Sequence, residues 1–354
     1  MHRPSRRSRR VLAPLFTLLA LLATALTAAS PAQAAVPNRL GFVLWNGAAV
    51  VASGTTPAAT TVVPIGIGRY QVKFPGQAAV GGVTHVTAIH TAPHSCQVEN
   101  SGPSGADQIV IIRCFKIGGV LDNSGFSAIF SHSSGISGFG PFGYVDALPG
   151  GGIVGQYNAS GAANTVTALA VGQWLVRFPG IGSAGPVDGS VQATPVGTVN
   201  ARCKVANWNS FPAEQRVWVY CFTPAGAPIN TRFTLTYQQK VSLYGPSYPP
   251  KYFGYLWFKP PVGPPTTNFN SVAGLGVNTL AGAGAGLFLV TFPNIAFLPD
   301  TVQVTAFGTT PDFCGLNTAW AHIGTSTVVR DVNCFTVNGA PVTSGFTVSA
   351  NSQF

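Results

Sequence analysis

A nine-residue pattern that begins with Gly and ends with Phe-Pro-Gly or Phe-Pro-Asn occurs three times in the chain. It reads GRYQVKFPG at Gly68–Gly76, GQWLVRFPG at Gly172–Gly180 and GLFLVTFPN at Gly286–Asn294. The same downstream residues follow each occurrence, a Cys-Phe pair and then a Phe twelve residues after that cysteine. The three cysteines are Cys114, Cys221 and Cys334. A repeat with so long a period indicates three copies of one domain.

The spacing of the pattern sets the expected domain organisation. We place the copies at residues 36–138, 139–246 and 247–354, after a leader at residues 1–34. A unit of about 100 residues can bury one small core of its own. The first joint, at 132–138, is rich in Ser and Gly and is expected to be flexible. The second joint, at 244–250, contains Pro and is expected to be stiffer.

The repeated segment alternates between apolar and polar residues. Tyr70, Val72 and Phe74 are separated by charged or amide residues. A period of two is typical of an antiparallel strand with one buried face and one solvent-facing side. The following Pro, and the Gly or Asn after it, predict a type II turn in which that last residue has a positive φ.

The rest of the chain after the leader has no amphipathic helical period, and short β-type segments are separated by Gly and Pro. We expect about six to eight strands in each copy. The pattern predicts an all-β chain of three tandem β-sandwich domains, immunoglobulin-like or jelly-roll in architecture. The order of the strands does not follow from the pattern.

Six cysteines are present, and the repeat selects one pairing among the 15 that six cysteines allow. Only one scheme gives every copy the same internal bond: Cys96–Cys114, Cys203–Cys221 and Cys314–Cys334. Each disulfide is expected to contribute roughly 3 kcal/mol in the chain-entropy model. A zinc site is the less favoured alternative, because no copy has the further Cys or His pair that zinc needs.

The first 34 residues have the features of a cleavable export signal. Five arginines precede an apolar run from Val11 to about Thr27, and small residues at Ala32–Ala34 form an A-x-A site. A retained membrane anchor is less favoured, because Pro14 interrupts the run. The Arg9-Arg10 pair leaves the twin-arginine route open beside general export. We therefore expect a secreted protein in an oxidising compartment.

Removal of the leader changes the charge balance. Five of the 19 basic residues lie in the leader, so the remaining chain has 14 basic and 9 acidic residues, a net charge of +5. The basic residues are scattered, which argues against a nucleic-acid partner. No second apolar segment is long enough to span a membrane, so no anchor is expected after cleavage. The sequence identifies no partner, and a polysaccharide or a component of the cell envelope is the candidate class.

The combined motifs resemble a known repeat. The segment GxYxVxFPG, a first Cys, and then CFxxxG and a Phe followed by Ser or Thr are similar to a tandem repeat of uncharacterised secreted actinobacterial proteins. The resemblance covers nearly all of residues 40–354 and implies secretion, but it implies no chemistry. The first copy departs from the repeat at Leu121, where the other copies have Pro228 and Pro341, and the third has two extra residues between its cysteines.

Histidines of the first copy are the sharpest candidates for a metal site. His85, His90 and His94 precede Cys96, and imidazoles this close together could bind a metal. However, His85 and His90 differ by five positions and so point to opposite faces of a regular strand. With no carboxylate in the cluster, we favour surface and edge histidines, expect no metal or other cofactor, and keep His90 and His94 as weak candidates.

Aromatic residues are the stronger candidates for a binding surface. Trp208 and Trp320 lie between the paired cysteines of their copies, where they serve the core or form a sugar-stacking face. Tyr252 and Trp257, near the second joint, form a further candidate patch or join the second and third copies. In the third copy, Leu287 and Leu289 replace polar residues on the solvent face of the repeated strand and predict an interface.

Catalysis is not indicated by any motif. The nine acidic residues form no spaced pair that recurs between copies, and no nucleophile motif surrounds a Ser. The sequence therefore favours a secreted, non-catalytic repeat protein with a binding or envelope-associated structural role. A carbohydrate-binding array that uses exposed aromatics is the alternative, and an enzyme with dispersed carboxylates is the second alternative.

Overall fold

Strands make up nearly all of the regular structure, as the period of two predicts. The computed structural model describes residues 38–135, 140–185, 187–246, 251–260 and 267–354. The predicted leader, residues 136–138 of the first predicted joint and residues 247–250 of the second lie outside the described residues. One 3₁₀ turn, Ile117–Gly119, is the sole helical element in the described ranges, where no helix is long and apolar enough to cross a membrane.

The first two copies contain eight strands each. The strands of the first copy are β1 (Arg39–Trp45), β2 (Val50–Gly54), β3 (Thr61–Gly66), β4 (Arg69–Phe74), β5 (Val83–Ile89), β6 (His94–Ser104), β7 (Asp107–Lys116) and β8 (Gly125–His132). Those of the second are β9 (Phe142–Ala147), β10 (Ile153–Asn158), β11 (Thr165–Ala170), β12 (Gln173–Pro179), β13 (Ser190–Val196), β14 (Arg202–Ser210), β15 (Glu214–Phe222) and β16 (Arg232–Gln238).

The third copy contains ten strands, two more than the expected upper number, because it includes two very short ones. They are β17 (Phe253–Phe258), β18 (Thr267–Asn270), β19 (Gly274–Leu275), β20 (Thr279–Gly284), β21 (Leu287–Phe292), β22 (Asp300–Phe307), β23 (Phe313–Leu316), β24 (Ala321–Ile323), β25 (Ser326–Phe335) and β26 (Gly345–Ser352).

Each copy forms a β-sandwich of two layers. In the first copy one layer has the order β2-β1-β8-β5 and the other β3-β4-β7-β6. The second copy repeats this order with β10-β9-β16-β13 and β11-β12-β15-β14. Neighbouring strands within each of these layers are antiparallel. The third copy forms the corresponding two layers with its additional short strands.

Every sheet extends across two copies. The described strands form three sheets, and each joins a layer of one copy to a layer of another through a short parallel pairing. β6 of the first copy pairs with β13 of the second, β14 of the second with β22 of the third, and β23 of the third with β5 of the first. The three sandwiches therefore close into a ring, and all described residues belong to one compact unit.

Three equivalent backbone hydrogen bonds close this ring. His90 N–H donates to the Leu316 carbonyl at 2.8 Å, Gly197 N–H to Val98 at 2.8 Å and Gly308 N–H to Val205 at 2.9 Å. In each pair the donor directly follows β5, β13 or β22, which are the central strands of the ring. The acceptor lies two residues after the first cysteine of another copy. The chain reaches this contact by the same local geometry three times.

Three separate apolar cores fill the sandwiches. Tyr70, Val72 and Phe74 are buried in the first core, as the alternation predicts. Each core also contacts an apolar residue of a neighbouring copy, and this residue lies at the end of that neighbour's central strand. These residues are Val196 in the first core, Phe307 in the second and Ile89 against the third. Ring closure thus adds apolar contacts as well as backbone hydrogen bonds.

The turn after the repeated strand has the predicted backbone. Gly76, Gly180 and Asn294 have φ values of 68°, 73° and 61°. Asn is the residue type that best tolerates this left-handed region after Gly, which explains its place in the third copy. The positive φ predicted at all three positions is confirmed.

The predicted disulfides are confirmed. Cys96–Cys114, Cys203–Cys221 and Cys314–Cys334 each join directly opposed residues of adjacent antiparallel strands, with a Cα–Cα distance of 4.1 Å. The second cysteine of each pair is fully buried in its sandwich core. No cysteine in the described part of the chain is free.

Candidate binding site at the axis of the ring

The centre of the ring is polar, in contrast to the three sandwich cores. The central strands β5, β13 and β22 contact one another there. Each places a buried Thr at an equivalent position: Thr87, Thr194 and Thr305. Val304 N–H donates to Thr87 Oγ1 at 2.9 Å, Ala193 N–H to Thr305 Oγ1 at 3.0 Å and Val86 N–H to Thr194 Oγ1 at 3.5 Å. These side chains join each copy to another around the axis.

Two residues before each of these threonines lies a buried His or Gln. Gln192 Oε1 accepts from Thr305 Oγ1 at 2.8 Å, and Gln303 Oε1 accepts from Thr87 Oγ1 at 3.0 Å. His85 takes this place in the first copy, with Nδ1 3.1 Å from Thr194 Oγ1 and Nε2 2.7 Å from Thr236 Oγ1. Burial lowers the pKa of His85 to about 3, so its imidazole is neutral at physiological pH.

A partly enclosed cavity of about 50 Å³ lies on this axis. All three copies line the cavity with corresponding segments. These are the central strands and the residues around the first cysteine of each pair. The lining includes Ala88, Pro195 and Ala306, then Cys96, Cys203 and Cys314. A space of this size holds several waters or one small polyatomic group.

Arg202, at the start of β14, is the most unusual residue of the cavity. It is 5% exposed, and none of its three side-chain nitrogens has a hydrogen-bond partner among the described residues. The guanidinium lies over the ring of Phe313, with Cζ 3.8 Å from the ring centroid. Stacking occupies the face of the group and leaves its in-plane N–H donors free. Burial lowers the pKa of Arg202 to about 10, so it stays charged at neutral pH.

Lys204 and Ser95 add further donors to the same lining. Lys204 is 2% exposed, and its Nζ donates to the carbonyls of Thr310 at 2.8 Å and Asp312 at 3.2 Å. An ammonium group has three N–H donors, so one remains. Ser95 Oγ is buried and has no partner in the described ranges. Burial lowers the pKa of Lys204 to about 8, against a smaller opposing effect of the Asp312 charge.

The charge of the lining is positive. Two cations face one acid, Asp312, whose carboxylate accepts a hydrogen bond from Thr310 Oγ1 at 2.7 Å. Across the described residues, neither Arg202 nor Lys204 forms an ion pair with a carboxylate. The cavity therefore presents positive charge without an ion-pair partner, and its Arg202 guanidinium has no hydrogen-bond acceptor among the described residues.

The two cations belong to the second copy alone. The position of Arg202, one residue before the first cysteine, holds Ser95 in the first copy and Phe313 in the third. The position of Lys204 holds Gln97 and Gly315. Because the other two copies adopt the same fold without a cation here, the fold itself does not require Arg202 or Lys204.

The predicted tryptophans lie inside the protein. Trp208 is 0% exposed and donates Nε1–H to Gln215 Oε1 at 3.3 Å, and buried Trp320 donates to Asp300 Oδ1 at 2.8 Å. Trp257 of the third copy packs on Trp208 of the second, with ring centroids 5.2 Å apart. A buried ring has no free face for a sugar, so the structure supports the core interpretation for all three and the joining of copies for Trp257.

Tyr252 is the one predicted aromatic with an accessible neighbour. It is half-buried, and its ring stacks on Phe297 with centroids 3.6 Å apart and planes 13° from parallel. Phe297 is 42% exposed. Sequence patterns offer no reason to select Phe297, because it lies in a loop outside the repeated pattern and contacts Tyr252 only after folding.

The histidine cluster differs from the surface arrangement that the sequence favoured. His85 and His94 are buried, because the second copy covers the former and Asp122 lies against the latter. The rings of His90 and His94 stack with centroids 3.7 Å apart, and Asp122 Oδ2 lies 3.3 Å from His94 Nε2. Folding thus adds a carboxylate, yet within the described ranges no group of three metal-binding side chains is suitably placed.

Leu287 and Leu289 are half-buried on the outer face of β21. They lie opposite the β20 backbone, with Leu289 paired to Ala281. Their role in an interface stays a prediction.

Several carboxylates form local hydrogen bonds or ion pairs. Glu99 accepts from Arg69, Asp146 accepts from Arg232, and Asp188 accepts from Gln239. Each of these contacts lies within a single copy and holds the acid in an ion pair or hydrogen bond. These three acids therefore have structural partners of their own, and the enzyme alternative stays a prediction.

Comparison of the chain with protein-family models, curated proteins and solved structures finds no match. The resemblance to the secreted actinobacterial repeat accordingly stays a prediction.

Proposed function

We propose that this protein is exported and non-catalytic, with a binding or envelope-associated structural role outside the cytoplasm. The observation that supports it best is the pairing of all six cysteines, one disulfide in each of three sandwiches that close into a ring. Structural disulfides form and persist in oxidising compartments. Closure and crosslinking together favour a rigid unit that withstands conditions outside the cell.

Binding is favoured over catalysis by the character of the axial cavity. Its lining offers hydrogen-bond donors and positive charge from Arg202 and Lys204, with no nucleophile held against a general base. Such a lining can hold an anionic group in place through hydrogen bonds and positive charge.

The export proposal is tested by fractionation and mass spectrometry of the protein from a secreting bacterial host. We expect the protein in the medium or envelope fraction, cleaved near Ala34, with a mass that shows three disulfides and no free thiol. Full-length protein retained inside the cell with reduced cysteines would contradict it.

A carbohydrate-binding role is the second candidate. The stacked pair Tyr252 and Phe297 supports it, because a half-exposed aromatic face can contact the apolar side of a sugar ring. Pull-down on insoluble polysaccharides should then retain the wild type and lose Phe297→Ala. The matched control is Phe211→Ala, which removes a partly exposed ring from the second copy, away from the Tyr252–Phe297 pair. Equal retention of both variants, or none of the wild type, would eliminate this role.

A further inference from the structure

An uncompensated buried cation is the feature of this molecule that most needs an explanation. Transfer of a guanidinium from water into a protein interior is strongly unfavourable unless hydrogen bonds and opposite charge compensate. Arg202 has a stacking contact with Phe313 but no hydrogen-bond partner among the described residues. The equivalent positions Ser95 and Phe313 show that this fold accepts a neutral residue there.

The unsatisfied groups around the cavity are of one chemical kind. Arg202 offers in-plane N–H donors, Lys204 retains one N–H, and Ser95 Oγ can donate a proton. They come from the first and second copies, while the ring of Phe313 from the third copy stacks on the guanidinium. A planar fork of donors beside an ammonium matches the oxygen atoms of a phosphate, sulfate or carboxylate group.

We infer that the axial cavity is a binding site for a small oxyanion, held by the Arg202 guanidinium with Lys204 Nζ and Ser95 Oγ as additional donors. The cavity of about 50 Å³ admits a group of a few non-hydrogen atoms, either a free ion or the anionic end of a slender ligand. The site names a ligand class for the binding role proposed above and rests on that role for its biological meaning.

Calorimetric titration of the intact, oxidised protein in Tris chloride tests the site. Inorganic phosphate, sulfate, acetate and glucuronate serve as probes, so that a free inorganic ion, a simple carboxylate and a sugar-borne carboxylate are distinguished. We expect saturable one-to-one binding of at least one probe with a Kd below about 1 mM. The absence of saturable binding by all four probes up to about 10 mM would overturn the inference.

Substitution of the cation distinguishes a specific site from a general salt effect. Arg202→Met should weaken binding by about tenfold or more and, without oxyanions, should raise the melting temperature, because it removes an uncompensated buried charge. Arg330→Met removes the same charge from an exposed position and should bind like the wild type. Equal binding by Arg202→Met and the wild type, or equal stabilisation of both by the anions, would reduce the effect to an adventitious ion only and contradict the site.

Lys204→Gln provides an independent variant, should Arg202→Met fail to fold, because Gln97 occupies this position in the first copy. It should weaken binding about severalfold, and unchanged affinity would count against the assigned donor set. Failure of all binding while export and disulfides are as expected would remove the axial site and leave the proposed extracellular role. Anion binding by a protein retained in the cytoplasm would support the axial site and contradict the proposed extracellular role.

Discussion

The sandwich cores and the axis of the ring are built from opposite kinds of residue. The cores are aromatic and aliphatic, with side chains such as Trp174 and Phe178 completely buried. The axis is made of Thr, Gln and His side chains that bond from one copy to another. An apolar core tolerates exchange of similar volumes, whereas a buried polar network needs every partner in place.

This difference separates what the copies share from what they do not. Recurring residues build the sandwiches, their turns and their disulfides. At the axis the threonines recur, but the copies differ at His85, which stands in place of Gln in the first copy, and at Arg202 with Lys204 in the second. All three copies thus share one fold, and the His, Arg and Lys residues that distinguish them lie where the copies meet.

The largest expected effect is in a sandwich core. Trp208→Ala should lower the free energy of unfolding by about 3–5 kcal/mol, because it empties a fully buried site and removes the ring contact with Trp257. Chemical denaturation measures this change. Val199→Ala, at an exposed position of the same copy, should change stability by less than about 0.5 kcal/mol. A mild effect of Trp208→Ala would place that ring outside the core.

Removal of one disulfide should have the next largest effect, and the same effect in each copy. Cys203→Ala with Cys221→Ala opens a loop of 18 residues and should cost about 3 kcal/mol. The matched pair is Cys96→Ala with Cys114→Ala, which opens a loop of the same length. Thermal and denaturant unfolding would show near-equal losses. A large difference between the two losses would contradict an equal contribution of the two disulfides to the free energy of unfolding.

At the axis, His85→Gln should change the pH dependence of stability more than its value at neutral pH. The depressed pKa means that the unfolded chain binds a proton between about pH 3 and 6.5 and the folded protein does not. The stability of the wild type should therefore fall with acidification by roughly 1.4 kcal/mol per pH unit more than that of the variant in this window. Parallel curves for both proteins would contradict a buried neutral imidazole.

A second histidine should show the opposite sign and a smaller effect. His322 Nε2 lies 2.9 Å from Asp300 Oδ2, and this hydrogen bond raises the pKa of His322. Its contribution to stability is complete below about pH 6.5 and is lost as the pH rises through the raised pKa. Because His322 is partly exposed, His322→Asn should cost less than about 1 kcal/mol at pH 5 and nothing at pH 9. A cost that does not vary with pH would disprove this coupling.

The sequence was a good guide to the sandwiches and a poor one to the axis. Alternation in Tyr70, Val72 and Phe74 predicted the buried face, and Asn294 after Pro predicted a positive φ, because both depend on local geometry. In β8 the same alternation places Phe126 and Ala128 in the core and Ser127 on the opposite face, where local pattern alone gives no sign of burial. Ser127 is in fact buried against Thr301 of the third copy, at 2.9 Å.

The same limit applies to the candidate site. Arg202 precedes a cysteine in a strand with ordinary alternation, and charge alone suggests exposure. Its burial depends on a neighbouring copy that supplies Phe313 more than one hundred residues later. The departure from the repeat at this position, Ser, Arg and then Phe, is the sequence signal that could have selected it.

Ring closure is the central claim, and hydrogen exchange at three backbone amides tests it most directly. The N–H groups of His90, Gly197 and Gly308 each donate to a carbonyl of another copy. If the ring is closed, all three amides should exchange slowly by NMR, at the rate set by global unfolding and with similar protection. If any of the three exchanges as fast as the amides of exposed turns, the ring is open at that contact. The residues that line the axial cavity are then not held together as described.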